Sequence, residues 1–130
     1  MDIYAQNILA HYQQPHHRGR LHEPTFSQRV KNPYCGDVIE LDISLDEQGK
    51  VQAVAFEGEG CAISQASMSL LSDELIDRDK SHLEAILAQD IFELLGIKIG
   101  PGRIKCALLS LLALRKALNQ QTSWSDILKV

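Results

Sequence analysis

The sequence predicts an α+β fold in which a small antiparallel sheet, built on one hairpin, packs against several helices. Three observations carry this reading. From Val38 to Leu45 the apolar residues Ile39, Leu41, Ile43 and Leu45 alternate with Glu40, Asp42 and Ser44, the period of a half-buried strand. Val51 to Phe56 forms a second such run, and the intervening Asp46-Glu47-Gln48-Gly49 has turn composition, so the two runs pair as an antiparallel hairpin. Helical spacing of apolar residues recurs on both sides of that hairpin.

Taken in chain order, Ile3 to Tyr12 reads as a short helix with Ile3, Ile8 and Leu9 as its apolar contacts, interrupted by Pro15 and Gly19. A loop is expected through about Lys31. After the hairpin, Ala62 to Ile76 reads as a helix. Its small residues Ala62, Ser64, Ala66, Ser67 and Ser69 blur the amphipathic pattern and suit close packing. Ser81-His82-Leu83-Glu84 matches a capping box that opens a helix through Ile86 and Leu87, and a shorter helical piece is expected near Ile91 to Leu95. Gly100-Pro101-Gly102 breaks the chain before a helix from about Arg103 to Asn119, with Ile104, Leu108, Leu111, Leu112 and Leu118 on one face as core. Ser123 is placed to cap a terminal turn through Ile127 and Leu128. No internal repeat is visible.

At 130 residues the chain fits one domain spanning 1–130, and 45% hydrophobic with 23% charged residues is ordinary globular composition. A formal charge of −4 offers no broad cationic surface for phosphates, so nucleic acid is not an expected partner. No run approaches the ~18 apolar residues that span a bilayer, and Met1-Asp2-Ile3-Tyr4 lacks a basic region followed by an apolar one. The expectation is therefore a cytoplasmic protein with no membrane partner. In such a compartment three cysteines raise the question of metal binding or thiol chemistry rather than disulfides.

Cys35 lies just before the first predicted strand and Cys61 just after the second, so the hairpin returns both to the same open end although 26 positions separate them. Asp37 stands two residues after Cys35, with Gly36 leaving the backbone free to turn both toward one ion. Cys106 is off the leucine stripe, in the first turn of its helix, where unpaired N–H groups and the dipole favour a thiolate. Three thiolates and a carboxylate make a tetrahedral set suited to zinc, or to iron once bridging sulfide is present. The competing account is three reduced cysteines packed as small hydrophobes, with Asp37 a turn or cap residue. Against it, each cysteine sits at an element boundary flanked by glycine or helix-start signals. Lys105 is usual as a solvated first-turn lysine, and is alternatively a partner for the Cys106 thiolate. His16 and His17, beside Arg18 and Gly19, read as surface residues away from the hairpin's open end.

Three segments in order, Asn32-Pro33-Tyr34-Cys35-Gly36-Asp37, Gly58-Glu59-Gly60-Cys61-Ala62-Ile63-Ser64-Gln65-Ala66-Ser67 and Arg103-Ile104-Lys105-Cys106-Ala107-Leu108-Leu109, resemble the IscU/SufU family of iron-sulfur assembly proteins. His11-Tyr12 before Pro15 looks like the family's amino-terminal helix ending, so the resemblance spans most of the chain. It implies helices on one side of the sheet, a site at one tip, and Cys35, Asp37, Cys61 and Cys106 at the family's metal and cluster positions. It further implies bound zinc, or iron as a transient [2Fe-2S] cluster. The implied partners are a pyridoxal-phosphate cysteine desulfurase that donates persulfide sulfur and apo iron-sulfur proteins that receive the product. Such a protein is an assembly scaffold or sulfur carrier rather than a conventional enzyme.

The chain mixes two kinds of member. IscU-type scaffolds carry a histidine where this chain has Lys105, so Gly-Glu-Gly-Cys-Ala-Ile-Ser and Arg-Ile-Lys-Cys look more like the SufU type, a zinc-dependent sulfurtransferase. The 45 positions from Cys61 to Cys106 are the compact, scaffold-like spacing. Leu95 to Gly102 does not reproduce the Leu-Pro-Pro-Val-Lys that scaffolds present to a dedicated Hsp70-type chaperone. The SufU likeness points to Cys35 as the favoured sulfur acceptor, with Cys106 the alternative. From other classes stand a purely structural zinc domain and, more weakly since no Cys-x-x-Cys exists, a thiol-disulfide oxidoreductase.

Overall fold

A computed structural model describes residues 2–128. Its order is α1 (Ile3–Gln13), β1 (Phe26–Lys31), β2 (Val38–Leu45), β3 (Val51–Glu59), α2 (Ala62–Leu75), α3 (Lys80–Ala85), α4 (Ala88–Leu95), a 3₁₀ turn over Pro101–Arg103, α5 (Ile104–Leu118) and α6 (Trp124–Leu128). Among the described residues the strands form one antiparallel sheet in the order β1-β2-β3. This is the α+β class the sequence predicts.

The hairpin forms as its alternation dictates. Ile39, Leu41 and Ile43 of β2 are fully buried, each contributing roughly 1.5–3 kcal/mol of apolar burial. Asp46 closes the turn by accepting the N–H groups of Gln48 and Lys50 on its side chain, and Gly49 there has φ of 79°. A register shift falls between Ser44 and Leu45.

β1 corrects the expectation of a loop through Lys31. Phe26 to Lys31 pairs with β2 from Ile43 back to Val38, with Phe26, Gln28 and Val30 on the more buried side and Ser27, Arg29 and Lys31 exposed. Two apolar residues in six give too little signal for a strand, and their polar neighbours are what an edge position tolerates.

The second expectation to fail concerns the helices after α2. Asp79, rather than Ser81, caps α3 by accepting the His82 N–H at 3.0 Å, and Ser81 lies inside the helix with its hydroxyl on the same carboxylate. α3 ends at Ala85 instead of running through Ile86 and Leu87, which are extended and lead into α4. Asp90 accepts the Leu87 N–H at 2.8 Å, and Gly96 ends α4 in the left-handed conformation beneath the ring of Tyr4. The last two predicted helices match expectation within a residue or two, except that a 3₁₀ turn occupies Pro101–Arg103. Ser123 precedes α6 and gives its N–H and hydroxyl to Asp126.

α2 runs through the middle of the helical layer, packed against α1, α4, α5 and β3. Its small residues permit this: Ser64, Ala66, Ser67, Ser69 and Ser72 are all buried. Ser67 Oγ lies 2.7 Å from both the Ala107 carbonyl and Ser110 Oγ, tying α2 to α5. Ser69 Oγ accepts the His16 N–H at 2.8 Å and meets the buried His11 Nδ1 at 2.6 Å.

Glu40 and Asp42 of β2 alternate with the apolar residues that face the core and project from the opposite side of the sheet. Asp42 is buried there, and its carboxylate accepts from Arg20 Nε at 2.8 Å, Ser27 Oγ at 2.6 Å and the Leu21 N–H at 3.0 Å. Burial alone would raise its pKa, but these hydrogen bonds outweigh it and hold the carboxyl below the ordinary carboxylate value. Among the described residues no helix is long and apolar enough to cross a membrane.

Asp42→Asn is expected to lower unfolding free energy by about 2–3 kcal/mol at pH 7, measured by urea denaturation. Because the folded pKa lies below the unfolded value of ~3.9, the ion's contribution is present above that value and disappears as pH falls through the folded one. The gap between wild type and variant should therefore narrow below about pH 4.

Candidate functional site

β2 and β3 set the site, because the pairing of Val38 with Glu59 brings the loop that enters β2 against the segment that leaves β3. Between β1 and β2 the chain makes a tight loop. The Asn32 N–H donates to the Asp37 carbonyl at 2.8 Å, the Gly36 N–H to the Asn32 carbonyl at 2.9 Å, and the Tyr34 N–H to Asn32 Oδ1 at 3.1 Å. Gly36 takes φ of 74°, which glycine adopts without penalty. This loop leaves Cys35 exposed at its tip and turns Asp37 inward, 2% exposed.

On the other side of the hairpin end, Cys61 is the N-cap of α2, with its sulfur accepting the Ser64 N–H at 3.4 Å. Its own N–H donates to Asp37 Oδ1 at 3.2 Å, and its thiol lies 3.5 Å from Asp37 Oδ2. Gly60, at φ of 145°, makes room for that carboxylate, since a Cβ there would collide with it.

Cys106, in the first turn of α5, completes the group. Its sulfur is 3.6 Å from Cys35 Sγ, and Asn32 Nδ2 points to it at 3.9 Å. Cys35, Asp37 and Cys106 offer donor atoms all within 4.8 Å of one another. The four residues singled out in the sequence thus lie together.

The environment of Cys106 differs from the sequence expectation of a dipole-favoured thiolate. It is 8% exposed, and burial first, then the adjoining Cys35 and Cys61 sulfurs, push its thiol up to about 12. Being off the leucine stripe does not leave it in solvent, because the Asn32–Asp37 loop covers that side of α5. Lys105 places its ammonium 4.2 Å from the Tyr34 ring centroid and 5.6 Å from that of Trp124. The lysine is thus engaged by aromatic faces, and it links the loop, α5 and α6 beside the cysteines. Asn32, which shapes the loop and touches Cys106, is missed as a site residue in the sequence; its only advance signal is its place before Pro33, three positions ahead of Cys35.

Two of the donor set's edges have the lengths a tetrahedral cation requires. Zinc–sulfur bonds of about 2.3 Å and zinc–oxygen bonds of about 2.0 Å give tetrahedron edges of about 3.8 Å between sulfurs and about 3.5 Å between sulfur and oxygen. The Cys35–Cys106 separation of 3.6 Å and the Cys61–Asp37 separation of 3.5 Å match these edges. A cation would also offset the mutual repulsion that opposes three adjacent thiolates.

In metal-free protein, iodoacetamide should label Cys35 at least about tenfold faster than Cys106, read by peptide mass spectrometry, since Cys35 is exposed whereas Cys106 is buried with its thiol pushed up to about 12. Gly60→Ala should displace Asp37 and weaken zinc binding at least about tenfold in a chelator competition, while the helical circular dichroism persists.

Known proteins resemble the chain in sequence and in fold. The family description "NifU-like N terminal domain" matches residues 3–124. The chain is 34% identical to the iron-sulfur cluster assembly scaffold protein IscU of Streptococcus pyogenes serotype M1, over 93% of this chain and 86% of that one. It is 35% identical to the zinc-dependent sulfurtransferase SufU of Bacillus subtilis strain 168, over 92% and 91%. Among solved structures, a protein from Fervidobacterium islandicum AW-1 named as a SUF-system assembly scaffold superposes with a TM-score of 0.76 at 26% identity, covering 88% of this chain and 95% of the other. Sequence and fold together establish that the chain belongs to the IscU/SufU family of iron-sulfur cluster assembly proteins.

Proposed function

We propose that Cys35, Asp37, Cys61 and Cys106 form one metal site through which the chain accepts sulfur from a pyridoxal-phosphate cysteine desulfurase and supplies it toward iron-sulfur clusters for apo-proteins. The observation that carries this reading is the gathering of Cys35, Asp37 and Cys106 within 4.8 Å of one another, with Cys61 joined to them through Asp37 at 3.5 Å. Bound zinc would hold the thiolates deprotonated. Iron and sulfide, as a [2Fe-2S] cluster, are the cargo of the scaffold version.

Cys35 is the acceptor in this proposal, supported by its exposure at the loop tip, whereas Cys106 is buried behind it. The Cys35 thiolate attacks the outer sulfur of the desulfurase persulfide. The donor's sulfur–sulfur bond breaks, a new one forms on Cys35, and the electron pair leaves with the desulfurase thiolate. No net oxidant is required. Asp37 and Asn32 orient the group: the carboxylate holds the Cys61 N–H and thiol, and the amide points to Cys106.

A second reading, the zinc-dependent sulfurtransferase that builds no cluster itself, is favoured by Lys105 at the scaffold histidine's position and by the Bacillus subtilis relative. The two differ in cargo. Anaerobically purified protein should contain about one zinc per chain without sulfide for the carrier, or equal iron and acid-labile sulfide for the scaffold. Incubated with desulfurase and cysteine, the wild type should gain one sulfur on Cys35 by mass spectrometry, and Cys35→Ser should lose it. A persulfide on none of the three cysteines, in protein that unfolds when zinc is removed, would instead establish a structural zinc domain.

A further inference from the structure

At the far end of α2 from Cys61 lies a second cluster of donor groups. His11 of α1, His16 of the following loop and Asp73 of α2 present donor atoms that all lie within 4.8 Å of one another. His16 Nδ1 is 2.7 Å from Asp73 Oδ2, His17 Nε2 is 3.0 Å from Asp73 Oδ1, and the His11 and His16 rings stand 4.3 Å apart. Asp73 comes 12 positions after Cys61 along one helix, a separation of about 18 Å at 1.5 Å per residue, so the two groups cannot share an ion.

We propose that His11, His16 and Asp73, flanked by His17, form a second metal site that takes a first-row transition dication such as zinc or ferrous iron through nitrogen and oxygen donors.

Four features support it. Two imidazoles and one carboxylate from three separate segments are the ligand chemistry of borderline dications, and no thiol is near to select a softer ion. The site is prepared from behind: buried Ser69 meets His11 Nδ1 at 2.6 Å and receives the His16 N–H at 2.8 Å, fixing one ring and the backbone that carries the other. His17 is held in the left-handed region at φ of 58°, an unfavourable conformation for histidine. Its carbonyl accepts the Phe56 N–H and the Gly19 N–H donates to the Phe56 carbonyl, both at 2.9 Å, so β3 imposes the turn that sets both loop histidines against Asp73. Finally, His11 is buried whereas His16 and Asp73 are about half exposed, so ligands meet an ion that solvent can deliver.

Binding requires the His16–Asp73 contact to open by about 0.6 Å, toward the roughly 3.3 Å edge of a tetrahedron with bonds of about 2.0–2.1 Å. Both side chains stand about half exposed, and Asp73 keeps its 3.0 Å contact with His17 Nε2 through its other oxygen. Any proton on His16 Nδ1 goes to the far ring nitrogen or to solvent as the ion takes its place. Three protein donors leave at least one coordination position for water. The ion would pin α1 and its following loop onto α2.

The test is calorimetric titration of zinc into the 130-residue protein whose thiol site already holds one zinc. A second equivalent is expected, weakened at least about tenfold by His16→Gln and by Asp73→Asn separately, with the first equivalent unchanged. Cobalt bound as that second equivalent should show no sulfur-to-metal charge-transfer band. Absence of a second equivalent, or one that both variants retain, overturns the proposal. Loss of the first equivalent with retention of the second would overturn the thiolate reading and leave this one standing.

Discussion

The antiparallel pairing of β2 with β3 is the constraint on which the remaining structure depends. Register in such a ladder is all or none, because a slip of one residue turns every side chain to the opposite face. With Ile43 opposite Val54 and Val38 opposite Glu59, Ile39, Leu41 and Ile43 enter the core while Asp37 arrives beside Gly60 and Cys61. The same register aims α2, whose first turn is capped by the Cys61 sulfur immediately after β3 ends. Core, helix direction and candidate site therefore answer to one set of backbone hydrogen bonds.

The site that results holds an electrostatic conflict. Two sulfurs 3.6 Å apart, a third beside a buried carboxylate, and a Cys106 thiol raised to about 12 describe a place where accumulating negative charge is opposed. The neighbouring ammonium of Lys105 is engaged by two aromatic rings. A dication placed among the donors reverses the sign of that balance. The architecture therefore favours a protein whose thiols are gathered before they are ionised, with Cys35 at the rim and Cys106 behind it.

How much of the structure is legible in the sequence depends on how local each feature is. The hairpin is legible because alternation from Val38 to Leu45 and the Asp46–Gly49 turn are local signals, and it alone brings Cys35 and Cys61 to one end. The burial of Cys106 is not, since it depends on the Asn32–Asp37 loop folding over α5 from 74 positions away. β1 escapes notice because Gln28 takes a partly buried position and Ser27, Arg29 and Lys31 face outward, leaving no apolar period. The break between α3 and α4 is hidden by Ile86 and Leu87, whose apolar character continues the helical pattern while their backbones are extended. His16 and His17 lie at the surface and away from the hairpin end as their loop composition suggests, but their meeting with Asp73, 57 and 56 positions on, has no local signature.

The polar outward face of β1 has a further consequence. β3 is partly covered along its free edge by the Arg18 bridge to Phe56, whereas β1, the other edge of the sheet, carries exposed Arg29 and Lys31 on its outward face, with Arg29 3.7 Å from Glu40. A strand of another chain that approached this margin would have to desolvate those cations beside its own backbone, which disfavours sheet-to-sheet addition. The polar pattern that conceals β1 in the sequence is thus also the one that disfavours pairing along this edge.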